Sequence, residues 1–424
     1  MSDDSIKVLL CGAAFSGNMG AEAMYDAIID GLRRRIPDAD IAILSKYPKE
    51  DEKACRNRGV KMYSFPTVRQ LSHGLPFYMA ATLLKSLKLP WRWLIGEWAR
   101  PFFEYDILAD ASGIAFSSER SASSLVINTL WFLPAFVSGM PIVKVSQSLG
   151  PYDKRYVRIA GKWALQKIDT VICRGHLSYA YTQRLLPRKK LYNLPDAAIC
   201  LKPTGGERTA ELLQKHGLTK NRYIVVGPSF VMRGFLKDDY IRLLSACIQE
   251  MRSATDMPIA LIPHSRKHVK ETLADSVSDD LDVCRETARR VWQDSQIQCV
   301  IVEEAYSSHE LKSIIGNAHM AFGSRFHFLV AALSSGVPSM AVGWSHKYKE
   351  LFDEFGVGEF AKECRERDKF DDSMSDMLET LKRLLARQAD VKKAIQRELP
   401  DVMERSERNI ELICERIAEI KRTE

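Results

Sequence analysis

Short apolar runs that stop at small or polar residues recur along this chain, with helical stretches between them. "IKVLLC" (residues 6–11) is bounded by Gly12 and suits a strand buried on both faces. The Gly-rich loop "AAFSGNMG" follows, and then "AEAMYDAIIDGLRRRI", whose apolar positions fall at helical spacing and whose last turn is basic. "ADIAILS", "YDILADASG", "PIVKVSQSLGP" and "DTVICRG" continue the series. A second series opens past the Pro/Gly cluster of residues 191–206 with "RYIVVGPS", "PIALIPHS", "CVIVEEA", "AHMAFGSR" and "PSMAVGWS". This alternation predicts α/β architecture: parallel sheets with crossover helices, in two Rossmann-like, doubly wound domains. The 424 residues are also too many for one hydrophobic core. The expected division is residues 1–195, residues 196–370 and a charged helical tail, 371–424, broken at Pro400. Ligands of such sheets bind beyond the carboxyl ends of the strands, where the polar residues of both series gather.

Composition narrows the function classes without naming one. Apolar residues at 46% and charged residues at 27% are ordinary globular values, and a net charge of +7 is mild at this length. It suits anionic substrates or a membrane surface and does not call for nucleic acid. The nine cysteines form no CxxC and no zinc-type Cys/His spacing, so no metal is expected. Scattered thiols fit a reducing compartment, and "MSDDSIKVLLCG" lacks the basic and apolar regions of a signal peptide. No apolar run reaches transmembrane length. The expected location is the cytoplasm, with peripheral contact at the inner membrane face left open by one segment. Residues 75–103, "LPFYMAATLLKSLKLPWRWLIGEWARPFF", read either as helices packed on the first domain or as an amphipathic element on anionic lipid.

Several residues could carry chemistry. The loop "SGNMGAEA" opens a helix, so Asn18 and Gly20 belong either to an anion or hydroxyl site at the helix N-terminus or to a tight turn with Asn18 left-handed. With no G-x-G-x-x-G and no acidic residue ending "IAILSK", a nicotinamide cofactor is not expected. Arg174, at a strand end in "VICRGHLS", offers a planar fork to carboxylate or phosphate, or else makes a structural salt bridge. His264 in "IPHS" and His327 in "SRFHF" sit at strand or helix mouths beside cations. Arg325, two residues before His327, makes that pair read as an anion site with a titratable partner. Lys347 follows the next strand, back toward the same crevice.

In this order, "GNMGAEA", "SQSLGP", "VICRGHLS", "LPDAAICL", "IPHS" and "SRFHFLVAALSSGVPSMAVGWSHK" resemble the polysaccharide pyruvyl transferase family. The resemblance runs over roughly residues 8–356, and its last block is the most specific: Ser324, Arg325 and His327, then Gly336, Val337 and Pro338, then Lys347. It implies two Rossmann-like domains in a GT-B-like arrangement with a cleft between them, the first domain on the acceptor side. It also implies transfer of a pyruvyl group from phosphoenolpyruvate to sugar hydroxyls as a ketal, with phosphate released, no cofactor and no metal. The acceptor is a polysaccharide (an exopolysaccharide, for example) or a lipid-linked glycan. By position, His327 matches the family's proposed general acid, and Arg174 and Lys347 its phosphoenolpyruvate-binding cations. The chain departs from the family at Ala21, where an acidic residue is frequent and Glu22 follows instead. It departs again in "ASGIAF", which has Gly113 where three glycines are frequent.

Two other functions fit the same architecture. One is a nucleotide-sugar glycosyltransferase or epimerase, for which Glu303 and Glu304 in "IVEEAYSSHEL" could be taken as a ribose-binding carboxylate. The other is a non-catalytic membrane-surface partner in polysaccharide synthesis, to which segment 75–103 lends weight but the set Arg174, Arg325, His327 and Lys347 does not.

Overall fold

A computed structural model describes residues 5–266, 279–366 and 370–423. The acidic start, residues 1–4, lies outside them. The chain divides into two compact units.

The first unit, Met1–Ser16 with Met24–Ala197 and Arg405–Glu424, is built on a parallel sheet. Its strands are β1 (Lys7–Cys11), β2 (Asp40–Ser45), β3 (Lys61–Ser64), β4 (Ile107–Asp110), β5 (Ile114–Ala115), β6 (Ile142–Leu149), β7 (Thr170–Cys173) and β8 (Leu191–Asn193). They run in the order β3-β2-β1-β4-β6-β7-β8, with the short β5 on β6. Leu9 of β1 pairs with Ala42 on one side and Leu108 on the other, and Val8, Leu9, Leu10 and Cys11 are all buried, so this central strand is covered on both faces and reads as a continuous apolar run. The strand order reverses between β1 and β4, which makes their carboxyl ends the crevice of this sheet.

The second unit, Gly17–Ala23 with Ala198–Glu404, carries β9 (Ile224–Gly227), β10 (Ile259–Leu261), β11 (Cys299–Ile301), β12 (Met320–Gly323), β13 (Ser339–Gly343) and β14 (Ala361–Glu363). The order is β11-β10-β9-β12-β13-β14, all parallel, and the reversal falls between β9 and β12. Both units therefore have the doubly wound topology that the strand–helix alternation predicts.

Three boundaries differ from the sequence reading. The loop Gly17–Ala23 clusters with the second unit, because backbone bonds tie it to the residues after β10. The charged tail is not a separate piece. Helix Phe370–Ala386 and the start of helix Gln388–Thr423 belong to the second unit, and residues from Arg405 onward to the first. The latter helix also continues through Pro400 rather than breaking there. A proline inside a helix forfeits one backbone bond and costs about 3 kcal/mol. Here burial on both sides offsets that cost: Val391, Ile395 and Val402 in the second unit, Ile410, Ile413 and Ile417 in the first. In the first unit Asn409 anchors it, accepting from the Ser146 amide at 3.1 Å and donating to the Pro195 carbonyl at 3.0 Å.

Segment 75–103 packs on the first unit with one face. Phe77 and Ala81 bury against Val137, with Trp98 and Leu94 beside them. No described helix is long and apolar enough to cross a membrane.

Candidate functional site

The second unit's switch point is organised by an aspartate that the sequence motifs did not flag. Beyond β12, the Ser324 amide donates to the Gly227 carbonyl at 3.0 Å, and the Ser324 carbonyl accepts from Tyr348 Oη at 2.9 Å. Ser324 is fully buried and holds this turn. Arg325 then lays its fork on Asp280, with Nε 2.8 and 3.0 Å from the two carboxylate oxygens and an Nη2 bond at 2.5 Å. The same carboxylate accepts from the amides of Phe230 at 2.8 Å and His264 at 3.3 Å, so it ties the loops after β9, β10 and β12 together. Burial pushes the Asp280 carboxyl up, against the opposing pull of Arg325. Arg325, expected as a ligand cation, is thus committed to an internal ion pair. Asp280 stands 45 positions away in the chain, with no local pattern to mark the partnership.

Past Arg325, helix Phe326–Leu333 is pressed onto the sheet through Phe328. A Cβ at Gly227 or Gly323 would come within 2.7 or 2.5 Å of that ring, so both strands must end in glycine for the helix to seat. This sets His327 in the first turn. Gly20 meets it: a Cβ there would lie 2.2 Å from His327 Nδ1. The Gly20 loop is itself fixed to the chain after β10. Arg266 donates its amide to the Gly17 carbonyl at 2.8 Å, Met19 donates to the His264 carbonyl at 3.2 Å, and Asn18 forms an antiparallel bridge with Ser265.

That geometry corrects the reading of the loop as an open anion site. The Met19 amide is taken by His264, the Gly20 amide by Asn18 Oδ1 at 3.0 Å, and those of Ala21 and Glu22 by the Asn18 carbonyl. Asn18 is a helix cap, and each of the first four amides has an acceptor. Gly17, at φ 79°, takes the left-handed conformation rather than Asn18. Glu22, in the first helical turn, accepts from the Ser308 amide at 3.3 Å.

His327 and His264 line one small pocket with Lys312, Met19, Ala23 and Ser308, closed by apolar groups, and none of its lining residues is acidic. Its volume is ≈ 10 Å³, about one water. Burial, then the proximity of His327 and Arg325, pushes His264 down to about 3, so its imidazole is neutral at ordinary pH. Lys312, equally buried, donates to the Ile199 carbonyl at 3.0 Å, and burial lowers its ammonium to about 8. Lys312 was missed in the sequence because "HELKSIIG" reads as an ordinary amphipathic helix. Lys347 stands one ring away from His327. Its Nζ lies 4.3 Å from the Trp344 ring centroid and 5.7 Å from that of Phe326, which in turn meets His327 edge-on at 5.3 Å.

The first unit's crevice holds a second polar cluster. Asp110, ending β4, accepts from Lys144 Nζ, from Gln147 Nε2 at 2.8 Å and from the Ser112 amide at 3.0 Å. Burial acts to raise its carboxyl, but Lys144 and the hydrogen bonds hold it below the usual value. Lys144, fully buried, also lies 4.8 and 5.3 Å from the ring centroids of Phe132 and Phe116. Gly12, at φ 88°, gives the cluster room, since a Cβ there would come within 2.2 Å of the Asp110 carboxylate. An acid closing the apolar run "DILAD" is the signal that could have exposed Asp110. Arg174, after β7, binds the Asp196 carboxylate and donates to the Gly113 carbonyl at 3.0 Å, the salt bridge that was one of its two readings.

Among the described residues no group of three or more His, Cys, Asp or Glu side chains could hold a metal ion, and the nine cysteines are unbridged.

Solved structures share the fold. HepE of Anabaena, solved with UDP and glucose, superposes with a TM-score of 0.58 at 14% identity, covering 98% of this chain and 100% of that one. UDP-GlcNAc 2-epimerase from Neisseria meningitidis, bound to UDP-GlcNAc, gives 0.59 at 11% identity over the same shares. The fold is therefore the GT-B type of two parallel-sheet α/β domains. The amylovoran biosynthesis protein AmsJ of Erwinia amylovora is 20% identical over 385 residues, 85% of this chain and 88% of that one. The sequence profile of polysaccharide pyruvyl transferase matches residues 18–346, a span from the Asn18 cap to the residue before Lys347. By that match this chain, a transferase, belongs to the polysaccharide pyruvyl transferase family.

Proposed function

We propose that the protein moves the pyruvyl group of phosphoenolpyruvate onto two hydroxyls of a glycan, free or lipid-linked, forming a ketal and releasing phosphate, with His327 as general acid. The observation that carries this reading is the pocket in which His327 is seated, lined also by the buried Lys312 and the neutral His264. A bound phosphate or carboxylate would stand beside the imidazole that is to deliver the proton. The pocket has room for about one water, so the donor lies largely outside it, at its mouth.

The imidazolium protonates the methylene carbon and leaves an oxocarbenium-like centre next to the carboxylate. One sugar hydroxyl adds there and gives up its proton. The carbon–oxygen bond to phosphate then breaks, and a second hydroxyl adds and gives up its own proton. One proton is consumed and two are released, one of them leaving with phosphate. General acid catalysis of this kind contributes typically ~10²–10⁴ in rate. Because Arg325 and Arg174 each hold a carboxylate, the donor's charge is met in larger part by Lys312 and Lys347.

A nucleotide-sugar reaction would want a carboxylate facing ribose. Glu303 instead pairs with Arg285 at 3.1 Å and Glu304 with Lys215 at 2.9 Å, both on the surface. The test is phosphate release from phosphoenolpyruvate with a panel of free and lipid-linked glycans, run beside thermal shifts with phosphoenolpyruvate and UDP-sugars. Stabilisation by UDP-sugars alone, with no phosphate released, overturns the reading.

A further inference from the structure

Helical backbone runs from Thr67 to Ser86 in the first unit, through a π turn at Gln70–Gly74. Gln70, Gly74, Phe77 and Ala81 bury one face. On the other face Leu71, Leu75, Met79, Leu83 and Leu87 recur every fourth residue and are exposed, Met79 by 63%, Leu83 by 59% and Leu87 by 58%. The stripe winds slowly, since four residues overshoot one turn by about 40°. Beyond it Trp93 stands 75% exposed in the turn Arg92–Leu94. Single exposed leucines need no explanation, but a run of this length rimmed by polar groups marks an interaction surface.

Charge decides which partner. From Lys53 to Gly96 there is no Asp or Glu, while Arg69, Lys85, Lys88 and Arg92 all fall within the helix and the turn that follows. Lys85 bonds the Val137 carbonyl and lies 4.5 Å from the Trp91 ring centroid, which fixes the turn against the helix. We infer that this face docks in the plane of an anionic bilayer surface, with the leucines and Met79 at the acyl boundary, Trp93 at headgroup depth and Arg69, Lys88 and Arg92 on anionic lipid. A protein partner would ordinarily meet a mixed-sign rim. A surface that combines an apolar stripe, an exposed tryptophan and several cations, with the next acid, Glu97, paired to Arg100, complements lipid. The inference stands on the first unit and does not depend on the donor chemistry.

The test is co-sedimentation of the full chain with phosphatidylcholine vesicles, with and without about 30 mol % phosphatidylglycerol. Partitioning is expected to be at least tenfold stronger with the anionic lipid and to weaken with salt. Met79→Glu/Leu83→Glu, both on the exposed face, should reduce it tenfold or more with the thermal midpoint unchanged. Lys88→Glu/Arg92→Glu, outside the packed helix, should remove the preference for anionic lipid, each cation being worth on the order of fivefold. Equal partitioning of wild type and the Met79/Leu83 variant overturns the inference. So does a change in that variant's sedimentation without lipid, which would assign the face to a second copy of the chain.

Discussion

At the crevice of the first sheet the buried cations touch their counter-ions: Lys144 meets Asp110, and Arg174 meets Asp196. Beyond the second sheet the pattern splits. Arg325 is paired with Asp280, but Lys312 has a backbone carbonyl as its partner, and His264 is driven to its neutral form. Paired charges cancel and hold loops in place. A lysine buried against a carbonyl carries a burial cost that a paired one does not. The two crevices thus differ: the first is a closed ionic scaffold, while the second buries a lysine whose partner is a backbone carbonyl.

The sharpest way to break this contrast is at His327. His327→Ala should cut phosphate release from phosphoenolpyruvate ~10²–10⁴-fold, with the thermal midpoint little changed because the ring is partly exposed. Gly20→Ala should also impair turnover, since its methyl would occupy the place of the His327 ring, yet it should add little in the His327→Ala background. Additive losses would show that Gly20 does not act through that imidazole. In the first crevice the expected effect is on stability. Asp110→Asn leaves Lys144 buried without a counter-charge and should cost about 3–5 kcal/mol in denaturant unfolding. A cost below 1 kcal/mol would mean that the cluster is not the closed scaffold described.

How much of this could be read from the chain follows from the range of the interactions. The strands were legible because β1, β9 and β12 are buried almost throughout and appear as nearly unbroken apolar runs, and β4 and β6 open as such runs before their polar ends. His327 was legible because the turn after β12 places the next residues in the crevice whatever the rest of the chain does. Asp280 and Arg325 were not, since their pairing joins a helix start to a distant loop. The Gly17–Ala23 loop could be taken for an anion site as readily as for a tight turn because its amides look vacant in sequence. They are filled by His264 and Asn18, and the His264 contact is a backbone bond that no side-chain pattern announces. Pro400 misled for the opposite reason: the local rule is correct, but buried residues on both sides outweigh it.

Lys312 offers the finest test of the contrast, because its cost can be titrated. Its ammonium is lowered from 10.5 to about 8, a difference of about 3 kcal/mol. The unfolded chain holds that proton up to about 10.5, whereas the folded chain releases it near 8. Between those values the unfolded state therefore binds more protons, and the fold gains stability as pH rises. Below pH 8 the burial cost is fully present. Lys312→Met removes the titration and also the bond to the Ile199 carbonyl, which by itself costs about 1–3 kcal/mol. The two effects oppose each other at pH 7, so the informative quantity is the difference between the curves. Measured by urea unfolding, the variant should lose about 3 kcal/mol relative to wild type between pH 7.5 and 10.5. Parallel curves would mean that Lys312 is charged and compensated in the fold. Phosphoenolpyruvate present in excess should move the wild-type release of that proton toward higher pH, because an anion in the pocket supplies the partner that the empty fold lacks.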